Sequence, residues 1–141
     1  MRVSAKAEYA CVAVLELAAN YTARQPVRVK AIADAHGIPQ RFLVQILLQL
    51  KGAGLVYSVR GAAGGYFLAR APGQISVADV VQTIDRTARR QPIASERSPA
   101  VQAVRAIWKE VQAEEQRQLE SVDFAELLRR TQESHSLTYQ I

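Results

Sequence analysis

Two side chains that can read nucleic-acid bases, Arg41 and Gln45, lie four residues apart, so a helix would place both on one face. In a DNA major groove, arginine can pair with guanine and glutamine can pair with adenine. On a helix taken alone, these two side chains can equally be solvated surface residues. The choice between the two interpretations depends on the elements around them.

A second candidate for a DNA contact is Arg60, which stands at the base of a loop containing Gly61, Gly64 and Gly65. Residues 55–59 alternate as a strand does, and residues 66–69 can return as its partner. A glycine-rich loop with one arginine is typical of a wing that enters a minor groove. The alternative is a plain hairpin with a surface arginine. The loop lacks the spacing G-x-x-x-x-G-K-[ST], so a phosphate-binding P-loop is not supported.

The elements that would position these residues form a helix-turn-helix. We predict a helix over residues 29–36, a turn at Gly37 where positive φ is needed, and a second helix over residues 40–51 after Pro39. That helix should end near Gly52 and Gly54 in a left-handed cap. Its predicted core-facing stripe consists of Leu43, Ile46, Leu47 and Leu50.

Three further helices flank this unit. Ser4 can cap a largely buried helix ending near residue 20, and Ser76 with Asp79 forms a capping box for a helix over residues 77–86. A last helix follows Asp123, and the tail from residue 133 is expected to fray.

A long helix should begin at Pro99, after a polar loop at residues 87–98. Its apolar residues repeat with a spacing of three and four, which predicts a short coiled-coil seam and therefore a dimer interface. The alternative is an intrachain core helix. The predicted interface residues are Val101, Val104, Ile107, Trp108 and Val111.

The charge distribution favours a nucleic-acid partner. The net charge is +5, but residues 1–75 carry nine basic and three acidic side chains, whereas the rest carry nine basic and ten acidic. A basic patch of this kind is the electrostatic footprint expected for a phosphate backbone. No stretch resembles a signal peptide or a membrane span, so we expect a cytoplasmic protein with no membrane partner.

The residues for catalysis or metal binding do not form a recognisable pattern. There is no Ser-His-Asp order and no pair of carboxylates in a glycine-bounded site, so no catalytic residues are predicted. His36 and His135 lack the spacing of metal ligands. Cys11, the single cysteine, is expected to be a small core residue, with a redox thiol as the alternative.

Four segments together resemble the IscR and NsrR family of bacterial winged-helix regulators, also called the Rrf2 family. They are MRVSAKAEYA, GLVYSVRGAAGGYFLAR, ISVADVVQTID and AIWKEVQ, and the most specific is VRG-x-x-GGY from Val59 to Tyr66. The resemblance implies a homodimer that reads a pseudo-palindromic operator in double-stranded DNA, with the second helix in a major groove and the wing in a minor groove. The best-known members hold an iron–sulfur cluster through three cysteines. Residues 87–108 contain neither Cys nor His, so no cluster or other cofactor is expected.

The sequence therefore predicts a mainly α fold with a small β-wing: a winged helix-turn-helix plus a long C-terminal dimerisation helix. Residues 1–75 form the predicted DNA-binding region, and residues 76–141 hold the connecting helix, an effector loop (87–98) and the dimerisation helices. Family members often have an acidic residue at the position of Val44, which could instead touch a thymine methyl group. The predicted DNA-binding residues are Arg2, Lys6, Tyr9, Lys30, Gln40, Arg41, Val44, Gln45, Arg60, Gly61 and Tyr66.

The predicted function is a dimeric repressor without a cluster, whose effector is a small molecule, a partner protein or the thiol of Cys11. The alternative is a protein-interaction module whose winged helix no longer binds DNA.

Overall fold

The computed structural model describes residues 3–86 and 98–140, with side chains through residue 134. In this part of the chain, three helices precede a two-stranded antiparallel sheet and three helices follow it, which confirms the predicted mainly α fold with a β-wing. The helices are α1 (Ala5–Ala19), α2 (Val29–His36), α3 (Gln40–Gly52), α4 (Val77–Asp85), α5 (Pro99–Glu120) and α6 (Phe124–Gln140). The strands are β1 (Val56–Val59) and β2 (Gly65–Leu68), and a short 3-10 turn spans Pro72–Gln74.

Side-chain caps set the starts of α1 and α4. The backbone N–H of Ala7 donates to Ser4 Oγ at 3.0 Å, which satisfies one of the first free amides of α1. At α4, the N–H of Asp79 donates to Ser76 Oγ at 3.1 Å, and the N–H of Ser76 donates to Asp79 Oδ2 at 2.9 Å. The predicted capping box is therefore confirmed.

The helix-turn-helix forms through a left-handed residue and a buried stripe. Gly37 has φ 65°, so it ends α2 in a conformation that a residue with a Cβ rarely adopts. The stripe of α3 (Leu43, Ile46, Leu47 and Leu50) is completely buried. The predicted end of α3 was off by one residue, since Gly52 is helical and Gly54, at φ 77°, takes the left-handed conformation.

The wing is a two-stranded hairpin attached to the loop before α2. Val56 pairs with Leu68 and Val59 pairs with Gly65, so β2 lies one residue earlier than predicted. The N–H of Val27 donates to the carbonyl of Tyr66 at 3.0 Å, and the N–H of Tyr66 donates to that of Val27 at 2.8 Å. This bridge ties the hairpin to the residues that lead into the helix-turn-helix.

One hydrophobic core connects both ends of the described chain. Side chains of α1 and α3 share it with Ile75, Val80, Val81 and Phe124, so α4 packs on α1 and α3, and the start of α6 packs on α1. The tail from residue 133, which we expected to fray, is part of α6 as far as Gln140. Among the described residues, no helix has both the length and the apolar character that a membrane crossing needs.

Candidate nucleic-acid interface

The exposed face of α3 is a mixed polar and aliphatic surface, which we call the recognition face. It consists of Arg41, Val44, Gln45 and Leu48. These residues are spaced at i, i+3, i+4 and i+7, so they share one face of the helix. This face points away from the protein because the opposite stripe is buried in the core, which fixes the rotation of the helix about its axis. Leu48 is 56% exposed and Val44 is 41% exposed. Helix α3 contains no acidic residue, so the recognition face carries no charge that would repel phosphates.

Arg41 is positioned by its neighbour on α3. Its guanidinium lies over the ring of Phe42, 5.3 Å from the ring centroid. At an exposed site such a contact is worth about 0.5–1 kcal/mol, so it orients the guanidinium but does not prevent it from leaving for a base. Sequence reasoning did not assign a role to Phe42 or Leu48. The signal was available, since both are large apolar residues outside the core stripe.

The loop of the wing depends on two glycines. A Cβ at Gly64 would lie 2.1 Å from the carbonyl oxygen of Val59, and a Cβ at Gly65 would lie 2.8 Å from that of Val27. Both approaches are closer than van der Waals contact, so only glycine fits without backbone movement. Gly61, with φ 110°, turns the chain just after Arg60, whose side chain is exposed. The structure thus presents the wing arginine to solvent on a constrained loop.

The wing is also braced from its sides. The rings of Tyr57 and Phe67 stack across the two strands, with centroids 5.1 Å apart. Lys51, in the last turn of α3, donates from Nζ to Ser58 Oγ at 2.9 Å. The ring stack therefore joins β1 to β2, and the lysine contact joins the end of α3 to β1.

The predicted backbone-binding residues differ in their exposure. Lys30 and Gln40 are exposed near the starts of α2 and α3, and Lys6 is half-buried near the start of α1. Tyr9 and Tyr66 are half-buried and pack against the core, so only part of each ring can meet a ligand. Arg2 lies outside the described residues.

Helix α5 presents a second apolar surface, which we call the α5 stripe. It consists of Val104, Ile107, Trp108 and Val111, and Ile107 is 54% exposed. Val101, at the start of the same seam, is half-buried. No residue of α5 is buried, although the helix packs on α4 and Leu119 reaches the core.

Cys11 lies in α1 in an environment unlike that of a reactive thiol. Burial, followed by the charges of Asp85 and Glu8, raises its thiol pKa to about 11. The nearby carboxyl group is held in place, because Ser4 donates to Asp85 from both its hydroxyl and its backbone N–H. Reactive cysteines have a lowered pKa, so the structure disfavours the redox-thiol alternative.

A cavity of about 590 Å³ opens between the wing, α4 and α5. Its wall includes Leu55 and Arg70 from the wing side, Gln82 and Arg86 from α4 and the residue after it, and Gln116 from α5. Most of the predicted effector loop, residues 87–97, lies outside the described residues. The cavity is therefore adjacent to the point where that segment leaves α4.

Comparison with known proteins gives the family. The model of the Rrf2 family, described as iron-dependent transcriptional regulators, matches residues 3–130. The chain belongs to the Rrf2 family of transcriptional regulators. It is 41% identical over 136 residues to an HTH-type transcriptional regulator of Mycobacterium tuberculosis, covering 90% of this chain and 81% of the relative.

Two further Rrf2-type proteins are similar. An rrf2-like HTH-type transcriptional regulator of Rhodobacter capsulatus is 44% identical over 85 residues, which span 59% of this chain and 57% of that protein. The solved structure of IscR from T. potens superimposes with a TM-score of 0.79 at 32% identity, covering 95% of this chain and 90% of IscR. The winged-helix fold predicted from the residues is confirmed by this structural likeness.

The iron named in the family description does not fit the donor groups of this chain. An iron–sulfur cluster is held by several thiolates, with histidine as an occasional replacement. The full sequence has one cysteine and two histidines, and Cys11 lies within the helical core with a raised thiol pKa. In the described ranges, no three His, Cys, Asp or Glu side chains form a group that could hold a metal ion. This Rrf2 protein therefore lacks the ligands for a cluster.

Proposed function

We propose that the chain is a homodimeric, sequence-specific DNA-binding repressor that acts in the cytoplasm without an iron–sulfur cluster. The observation that carries this proposal is the recognition face of α3, exposed opposite the core and free of acidic residues. A helix of this kind can enter a major groove without repelling the phosphates on either side.

Each exposed group has a role in this proposal. Arg41 and Gln45 hydrogen-bond to base edges in the major groove, with Val44 beside them, and Arg60 enters the neighbouring minor groove. Lys6, Tyr9, Lys30, Gln40 and Tyr66, together with the backbone at Gly61, contact the DNA backbone. These contacts fix the position and orientation of the protein on the duplex.

Dimerisation occurs through the α5 stripe, with Val101 at its edge. Four large apolar side chains remain exposed along one side of a helix about 33 Å long. A second copy of the chain supplies a matching surface by two-fold symmetry, as in most homodimers. The dimer then presents two recognition faces to the two halves of a pseudo-palindromic operator.

The repressor responds to a small molecule or a partner protein. A thiol signal through Cys11 is the weakest of the three routes, since its raised pKa leaves little thiolate at neutral pH. The cavity between Arg70, Arg86 and Gln116 supports a small-molecule route, because it joins the wing side to the α5 side.

The test is the selection of bound duplexes from a random-sequence DNA pool by the purified protein. We expect a pseudo-palindrome whose half-sites are separated by about 34–36 Å, or a multiple of one helical turn. Selection of single half-sites would contradict the dimer, and no enrichment would contradict sequence-specific binding. A reporter whose promoter overlaps the selected operator tests repression: expression should fall when the protein is supplied, and a rise would contradict the repressor assignment.

A further inference from the structure

The recognition face carries two exposed aliphatic side chains beside its two hydrogen-bonding ones. Leu48 and Arg41 lie almost directly opposite the buried stripe, with Val44 and Gln45 to either side. Leu48 is the most exposed large apolar residue of α3, and it lies one helical turn from Val44 on the same face. Neither residue contributes to the buried core.

The surroundings of Val44 and Leu48 indicate which kind of molecule covers them. Residues 1–75 have nine basic and three acidic side chains, and α3 contributes two of the nine, Arg41 and Lys51, and no carboxylate. A purely apolar partner surface would leave these cations without counter-charges. A DNA major groove supplies phosphates at its edges and one apolar group on its floor, the C5-methyl of thymine.

We propose that Val44 and Leu48 form an aliphatic pair that reads thymine methyl groups, making Leu48 a specificity-determining residue of the operator contact. The two side chains are four residues apart, or about 6 Å along the helix axis. Base pairs rise about 3.4 Å along the duplex axis, and a helix in the groove is inclined to that axis, so the pair reaches base pairs about one or two steps apart. Each half-site should therefore contain two thymines about one or two steps apart, close to the guanine and adenine read by Arg41 and Gln45.

This inference rests on the proposed DNA binding, and its test separates the two. In the selected operator, each thymine is replaced in turn by deoxyuridine, which keeps every hydrogen bond and removes only the methyl group. At the two contacted positions, affinity should fall about fourfold per methyl, the factor for burying one methyl-sized apolar group. Deoxyuridine elsewhere in the operator should leave affinity unchanged.

Two variants assign the methyl dependence to a side chain. Leu48 is exposed and alanine favours a helix, so the Leu48→Ala variant should fold normally. At the position that Leu48 contacts, this variant should bind operators with thymine and with deoxyuridine equally well. Arg41→Ala is the matched control on the same face. It should bind more weakly overall while retaining the fourfold penalty for deoxyuridine.

The outcomes are distinct. Operator binding without any deoxyuridine penalty, or a penalty that persists in Leu48→Ala at both contacted thymines, would overturn the thymine inference and leave the DNA-binding proposal intact. Failure to bind any selected duplex would overturn both. A selected operator with no thymine in the major-groove contact region would also overturn the inference.

Discussion

The substitution Ile107→Ala tests the proposed dimer at the most exposed residue of the α5 stripe. Fully burying an isoleucine side chain contributes about 1.5–3 kcal/mol. Since Ile107 is 54% exposed, covering the remainder contributes about 1–1.5 kcal/mol per protomer. Two-fold symmetry counts the side chain twice, so Ile107→Ala should weaken the dimer by about 2–3 kcal/mol, or roughly 30- to 150-fold in Kd.

Sedimentation velocity over a concentration series measures this Kd directly. Lys109→Ala is the matched control, because Lys109 is also exposed on α5 but lies off the stripe. We expect the control to dimerise like the parent protein. A monomeric parent protein, or an Ile107→Ala variant with an unchanged Kd, would refute the assignment of the interface.

Three further predictions follow from the wing and from α1. Arg60→Ala should lower operator affinity in a gel-shift titration more than tenfold, about 1.4 kcal/mol, whereas Lys109→Ala should not, and an unchanged affinity would contradict the wing assignment. Gly64→Ala should lower the free energy of unfolding in urea by about 1–3 kcal/mol, because the added Cβ would clash with the carbonyl of Val59. Gly52→Ala, where no atom lies near the added Cβ, should instead raise that free energy by about 0.5–1 kcal/mol. In the folded protein, the rate at which iodoacetamide alkylates Cys11 should rise only as the pH approaches the raised thiol pKa of about 11. In guanidinium, the rate should rise near the ordinary thiol pKa of 9. Equal pH profiles would show that the folded environment does not protect the thiol.

Local patterns were sufficient to predict most elements. The spacing of the buried stripe predicted the rotation of α3 about its axis, and Gly37 predicted the end of α2. Both predictions succeeded because each depends only on residues within one or two helical turns. The capping box at Ser76 and Asp79 was visible from residue types at fixed spacing. The last residue of a helix depends on backbone geometry at a single position, so α3 extends one residue beyond the predicted Lys51, whereas Gly54 is left-handed as the prediction of a cap near Gly52 and Gly54 allows.

Contacts between distant parts of the chain could not be predicted. The Ser4–Asp85 pair joins residues 81 positions apart, and the Val27–Tyr66 bridge ties a loop to the wing without a distinctive sequence pattern. These contacts depend on how the helices pack, which no local spacing specifies.

Within the candidate site, the polar residues were easier to identify than the apolar ones. Arg41, Gln45 and Arg60 were recognised because their chemistry matches DNA, and the structure places all three in exposed positions. Leu48 received no role, although the spacing of the buried stripe already placed it on the opposite face of α3. A leucine offers no hydrogen bond to a base, so its chemistry did not mark it as a DNA contact.

The most direct test of the central claim is the salt dependence of affinity for the selected operator. If only Lys6 and Lys30 of each protomer neutralise a phosphate, the slope of log K against log salt is about −3.6, so affinity should fall about 150-fold between about 50 and 200 mM salt. A steeper slope would mean additional phosphate contacts. An affinity that does not change with salt would contradict binding through the phosphate backbone, and no binding to any duplex at about 50 mM salt would contradict DNA binding and favour a protein-interaction module built on the same winged helix.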